Sequence, residues 1–236
     1  QQTHEHNGVR ICLNSHIEQI SSEGIQTKEG FVRADLILAG IGVIPADSLA
    51  QEAGIVCENG VAVNEFQQTS VPYIYAIGDC AEQNEPIGNR KTIEAVWYTG
   101  RMMGETLAQT LTGHPTQYNP GHWFNSAKFL DIEYQTYGWV FSKPLDYEEQ
   151  FYWEHHSGKK AIRISYHKQT RQFLGINTFG IRMRHEFFDA VLNENKSVDY
   201  VIENLKSANF DPEFFTTYQD EIQTAFASQT SHQKVI

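Results

Sequence analysis

The chain is 236 residues long, enough for one large or two modest domains, and 40% of it is hydrophobic, enough to form real cores. Eighteen lysines and arginines against 29 aspartates and glutamates leave a net charge of −11, which argues against nonspecific binding to nucleic acid or to an anionic membrane surface. Apolar runs are only a few residues long, so no membrane span is expected, and the three cysteines, Cys12, Cys57 and Cys80, form no CxxC pair and fit a reducing cytoplasm. The opening, Gln1-Gln2-Thr3-His4-Glu5-His6, is polar and gives no sign of a signal peptide. It also lacks methionine and reads as mid-domain, so the chain is expected to be part of a longer polypeptide.

Taken in order, Gly8 to Ile20 alternates apolar and other residues and reads as strands broken near Asn14-Ser15. Gly24 and Gly30 frame a hairpin of Ile25-Gln26-Thr27 and Phe31-Val32. Asp35 to Ala39 is a continuous apolar run, expected as a parallel strand covered on both faces. It runs into Gly40-Ile41-Gly42-Val43-Ile44-Pro45, where the second half of a GxGxxG fingerprint is missing and no helix opens, so a phosphate loop is rejected. Asp47 to Ala53 suits a short helix closed by Gly54, and Asn59-Gly60 is a hairpin dipeptide between short strands in Ile55 to Val63.

The stretch Thr69-Ser-Val-Pro-Tyr-Ile-Tyr-Ala-Ile-Gly-Asp79 carries most of the chemistry. Ile74 to Ile77 is expected as a buried strand ending in Gly78, where backbone can approach a ligand, and Asp79, whose carboxylate can accept hydrogen bonds from ligand hydroxyls. After a polar loop from Ala81 to Arg90, Thr92 to Leu111 reads as one helix, with Gly100 and Gly104 clearing one face of side chains. Each helical glycine costs about 1 kcal/mol in propensity, which close packing against a strand or cofactor would offset. Gly113 to Gly121 is a turn-rich linker. Beyond it, Phe124 to Gly138, Glu149 to Trp153, Lys160 to His167 and Gln172 to Thr178 read as about four antiparallel strands, and His185–Leu192, Val198–Leu205 and Tyr218–Phe226 as helices. The adjacent pair His185-Glu186 cannot face each other on a helix and reads as surface ion pairing rather than acid–base chemistry.

The string from Thr69 to Asp79 resembles the second flavin-binding motif of the two-dinucleotide-domain flavoproteins, the family of rubredoxin reductase, NADH-dependent nitrite reductase and the disulfide reductases. Leu38 to Pro45 resembles the segment in which those chains leave the NAD(P)H domain and re-enter the FAD domain, with Gly42 at the close approach. The resemblance implies an α/β fold, the returning part of a two-dinucleotide-binding-domain flavoprotein, followed by an α+β interface domain with an antiparallel sheet. The implied limits are residues 1–40 for the end of the NAD(P)H domain, 41–114 for the returning FAD domain and 122–236 for the C-terminal domain. It implies that Asp79, beside Gly78, holds a ribityl hydroxyl of FAD and that the helix N-terminus places Val96 and Trp97 near the isoalloxazine ring. Trp97 is equally readable as an ordinary buried aromatic. Lys128 stands either near flavin N1/O2 or simply exposed on its strand.

The implied activity of the parent protein is hydride transfer from NAD(P)H to FAD and then electron transfer to an unknown acceptor, a redox protein or small molecule. No GxGxxG fingerprint and no metal-ligand motif occurs in the chain, so the piece alone is expected to hold no cofactor. The alternative is a non-catalytic module for homodimerisation or partner docking through the C-terminal domain. His114 superficially resembles the catalytic histidine segment of the disulfide reductases, but no glutamate follows and a solvated linker residue is the reading kept.

Overall fold

Two glycines with positive φ, Gly24 and Gly30, let the first hairpin turn back on itself. In the computed structural model, which describes residues 2–233, a short helix α1 (Gln2–His6) precedes three antiparallel strands, β1 (Ile17–Ser21), β2 (Gly24–Thr27) and β3 (Gly30–Arg33). The break read near Asn14 is a left-handed residue, φ +59°. The apolar run 35–39 is not a strand: no ladder partner reaches it, and Leu36 and Leu38 face solvent. A parallel strand cannot exist without a neighbour to take its N–H and C=O groups, whatever its hydrophobicity. The chain divides into two compact units, with the boundary between Ile44 and Pro45.

The second unit opens with α2 (Ser48–Glu52), preceded by Asp47 and followed by Gly54 at φ +73°. The Asn59-Gly60 turn leads into β4 (Val61–Val63), which pairs in parallel with β5 (Ala81–Gln83). Only an isolated Cys57–Val61 bridge stands on the near side of that turn. The buried strand expected at Ile74–Ile77 is absent. Pro72 lacks an N–H, Tyr73 is left-handed at φ +66°, and the Thr69 and Ile74 amides donate to the Ile74 and Val71 carbonyls, so the segment curls into a turn. A single bridge joins Tyr75 to Gln68. The parallel pair therefore joins segments on either side of Asp79, and its second strand, β5, follows Asp79 inside what read as a loop. Helix α3 (Trp97–Leu111) begins five residues later than the apolar spacing suggested.

After the linker comes a five-stranded antiparallel sheet of β6 (Phe124–Phe129), β7 (Ile132–Gly138), β8 (Glu148–Glu154), β9 (Ala161–His167) and β10 (Phe173–Phe179), in the order β6-β7-β10-β9-β8. Residues 124–138, expected as one strand, are two, because Leu130 turns the chain at φ +57°. Helices α4 (His185–Asn193), α5 (Val198–Glu203), α6 (Leu205–Ala208) and α7 (Gln219–Gln233) cover one face. They bury Phe151, Ile162, Ile164, Tyr166, Phe173 and Ile176 of the sheet against Phe188, Val201, Leu205, Ile222 and Phe226. By the alternation of strand side chains, Phe129, Tyr152 and Phe179 point to the other face, where they stand exposed. A smaller core of Val63, Ala81, Met103 and Tyr118 lies under α3. Antiparallel pairing thus dominates, and the α/β character expected before the linker is limited, among the described residues, to the single β4–β5 parallel pair and its helices. No helix of the described residues is long and apolar enough to cross a membrane.

Candidate functional site

Asp79 lies in a 3-10 turn, Gly78–Cys80, between the curled 69–77 segment and β5. Gly78 has φ +74°, a conformation that favours glycine. The Asp79 carboxylate is exposed and, among the described residues, has no hydrogen-bond or ion-pair partner. Cys80 is half-buried and free, its thiol turned to the Ile77 carbonyl at 3.6 Å.

The turn is held against α3 by the absence of side chains. A Cβ on Gly100 would lie 3.5 Å from the Gly78 Cα, and one on Gly104 would lie 3.8 Å from Ile77 Cδ1. The Gly78 amide points at the Met103 sulfur, 3.2 Å away. So the small-residue face of α3 packs on the Gly78 backbone and the Ile77 side chain, and Gly78-Asp79 sits beside its first turn. That turn is uncapped: Val96 occupies the N-cap position with no capping side chain, and only the Gly100 amide reaches back to the Val96 carbonyl, at 3.1 Å. Trp97, Tyr98 and Thr99 lie before the first intrahelical bond, as the leading N–H groups of any helix do; Thr99 is buried, so the amides of Trp97 and Tyr98 are the ones open to an acceptor. Val96 is half-buried, whereas Trp97 is 69% exposed rather than buried, its ring edge-on to Tyr98 and under the Arg101 guanidinium.

Lys128 is exposed on β6, opposite Glu133. Two residues back along the same face, Ser126 Oγ meets the Tyr98 hydroxyl at 2.9 Å. The structure therefore brings Gly78, Asp79, Val96, Trp97 and, through Tyr98, the strand of Lys128 into one neighbourhood. Gly42 is not among them. It lies in the first unit, left-handed at φ +96°, in an unpaired stretch. His185 packs on the rings of Phe124 and Tyr137.

Two buried polar groups support this neighbourhood, and the sequence reading passed over both. Glu82 accepts from the Asn59 and Gly60 amides at 2.7 and 3.0 Å and from the Asn59 side chain at 3.0 Å. The Asn59 side chain, with the Asn59 and Gly60 backbone and the Thr92 hydroxyl, holds the Glu82 carboxyl below its usual range against the opposing pull of burial. A Cβ on Gly60 would meet the Cys80 carbonyl at 2.8 Å, so the turn accepts only glycine there. Arg90 and Glu94 form the second group, an ion pair with 2.7 Å between Nη1 and Oε2, and their i,i+4 spacing was the visible signal. Burial pushes the Tyr118 phenol up to about 12. Among the described residues no three His, Cys, Asp or Glu side chains gather as a metal-ligand set.

Residues 1–104 match the sequence profile described as pyridine nucleotide-disulphide oxidoreductase. The ferredoxin reductase subunit of 5,5'-dehydrodivanillate O-demethylase from Sphingobium sp. (strain NBRC 103272 / SYK-6) is 33% identical over 144 residues, 57% of this chain and 34% of that protein. Putidaredoxin reductase from Pseudomonas putida is 38% identical over 125 residues, 52% of this chain and 29% of that protein. Among solved structures, the NAD-dependent persulfide reductase from A. fulgidus superposes on 99% of this chain and 47% of its own, with a TM-score of 0.73 and 18% identity, a likeness of fold. The chain spans about a third of the length of those two curated relatives.

Proposed function

We propose that this chain supplies the flavin-facing part of an FAD-dependent oxidoreductase that takes hydride from NAD(P)H and passes electrons to a separate acceptor. The observation that carries it is the contact of the Gly78-Asp79 turn with the glycine face of α3, which sets an unpaired carboxylate beside an uncapped helix N-terminus. This arrangement fits FAD: a carboxylate can accept from ribityl hydroxyls, and open amides can donate to a pyrimidine carbonyl. Asp79 is assigned the ribityl contact and the Trp97 and Tyr98 amides the ring carbonyl. Trp97 is assigned the ring's flank, and Lys128 stabilisation of the negative charge that accumulates near N1/O2. The bound flavin supplies the redox chemistry, while these residues bind, orient and set its electrostatics.

The relatives' names support a ferredoxin-type redox protein as the acceptor class, and the free cysteines support the cytoplasmic location expected from the sequence. The test is Asp79→Ala in the full-length enzyme: we expect most of the flavin to be lost on gel filtration, and retention of full yellow colour would remove Asp79 from the site. The 236-residue chain by itself is expected to be colourless.

A second reading, a dimerisation or docking module, is favoured by the uncovered face of the five-stranded sheet. A cleft of about 510 Å³ runs there past Phe141, Tyr152, Arg163 and Phe179. Sedimentation of wild type against Phe179→Lys separates the two readings, since only a sheet-face dimer is lost in the variant.

A further inference from the structure

Apart from its pairing with Glu94, Arg90 takes no part in the contacts described above, yet it is among the most enclosed charges of the second unit. Its side chain is 6% exposed and that of Glu94 is 9% exposed. Nη1 donates to Glu94, and Nη2 faces the carbonyl oxygens of Pro120, Gly121 and His122 at 3.3, 3.2 and 3.2 Å. The guanidinium also lies over the Trp123 ring, 5.5 Å from its centroid, and Trp123 stacks on Trp139 at 5.5 Å. At the other end, the Glu94 carboxylate accepts from the hydroxyl of Thr99 at 3.1 Å, inside the first turn of α3.

An unbroken polar path therefore runs from the last three carbonyls of the linker, through Arg90 and Glu94, to the helix N-terminus. Those carbonyls immediately precede Trp123 and β6, so their position decides where β6 begins. Only a planar fork with five donors can reach three carbonyls and a carboxylate at once; a lysine ammonium is a point charge on a flexible stem.

We propose that Arg90 is a positioning residue: by locking the linker carbonyls to Glu94 it sets β6 against the first turn of α3 and so holds Lys128 at the flavin-facing end of the helix. The proposal rests on the reading of Lys128 given above. The test is made on the flavin-loaded full-length enzyme, comparing Arg90→Lys, Lys128→Met and the double variant by the midpoint potential of the flavin. Near-UV circular dichroism of the Trp123–Trp139 pair provides a second signal. Lysine keeps the charge at position 90, so a long-range effect of that charge does not register.

Lys128→Met is expected to shift the potential to more negative values, and Arg90→Lys to shift it part of the way. Lys128→Met should have little further effect once Arg90 is lysine, and the tryptophan signal should weaken in both Arg90 variants. A full Lys128→Met shift in the Arg90→Lys background, or an Arg90→Lys enzyme at the wild-type potential, overturns the positioning role alone. A Lys128→Met enzyme at the wild-type potential instead removes Lys128 from the flavin, and the role of Arg90 toward it falls with that reading. Should Arg90→Lys fail to fold, Glu94→Gln replaces it; removing that carboxylate alone would move the potential to more positive values, so a negative shift that Lys128→Met does not deepen supports the path and any other result overturns it.

Discussion

A carboxylate that accepts three N–H donors while buried is worth most when ionised, and Glu82 is in that position under the Asn59-Gly60 turn. Glu82→Gln places an amide NH2 against those donors and should lower stability by about 2 kcal/mol at pH 7, measured by urea unfolding. The sign with pH follows from the lowered folded pKa. The wild-type advantage is complete above the ordinary glutamate value of 4.5, and fades as pH falls below it through the lower folded value. The gap between wild type and variant should therefore narrow on the acid side, and a gap that widens there contradicts the assignment. Gly60→Ala has no such relief at any pH. Its methyl would press on the Cys80 carbonyl, a backbone group of the Gly78–Cys80 turn that cannot rotate away, at a cost of about 1–3 kcal/mol.

At the scale of the element, α3 makes two predictions of opposite sign from one position. The Gly100 Cβ position is 3.5 Å from Gly78, ordinary van der Waals contact, so Gly100→Ala should fit and stabilise by up to about 1 kcal/mol through helix propensity. Gly100→Leu should drive the Gly78-Asp79 turn off the helix and, in the flavin-loaded enzyme, weaken retention; thermal melts and flavin content measure the two outcomes. What was legible in the sequence follows the same logic of local against distant partners. The hairpin of residues 24–33, the helices α2, α4 and α5, and the strands β8 to β10 carry their signals in turn residues and periodicity, and they formed close to their expected limits, whereas α7, expected to end at Phe226, runs on to Gln233. The runs 35–39 and 74–77 carry strand composition but depend on partners elsewhere in a sheet, which no local pattern encodes, and neither formed a strand. The glycine spacing of α3 correctly signalled a close approach. That the approaching group is the Gly78 backbone, and that Arg90 reaches 30 residues forward to Pro120, are long-range facts that spacing cannot carry.

At the scale of the molecule, the helical layer is held to the sheet largely by aromatic contacts. Phe226 of α7 meets Phe151 edge-on at 5.1 Å and Tyr166 at 6.4 Å. Phe226→Ala should cost about 3–5 kcal/mol, read by denaturant melts, with little change in the environment of Trp97 on the other side of the linker. The first unit presents a different balance. From Leu36 to Ile44 it displays Leu38 at 84% and Ile41 at 94% exposure, together with Leu36, Val43 and Ile44, on backbone that no strand pairs. Side chains of this kind crowded along one extended, unladdered ribbon offer both grease and open peptide groups to whatever meets them. Purified by itself, the polypeptide should brighten solvatochromic dyes, adhere to chaperone columns and form larger species as its concentration rises. Leu38→Lys together with Ile41→Lys should suppress all three behaviours.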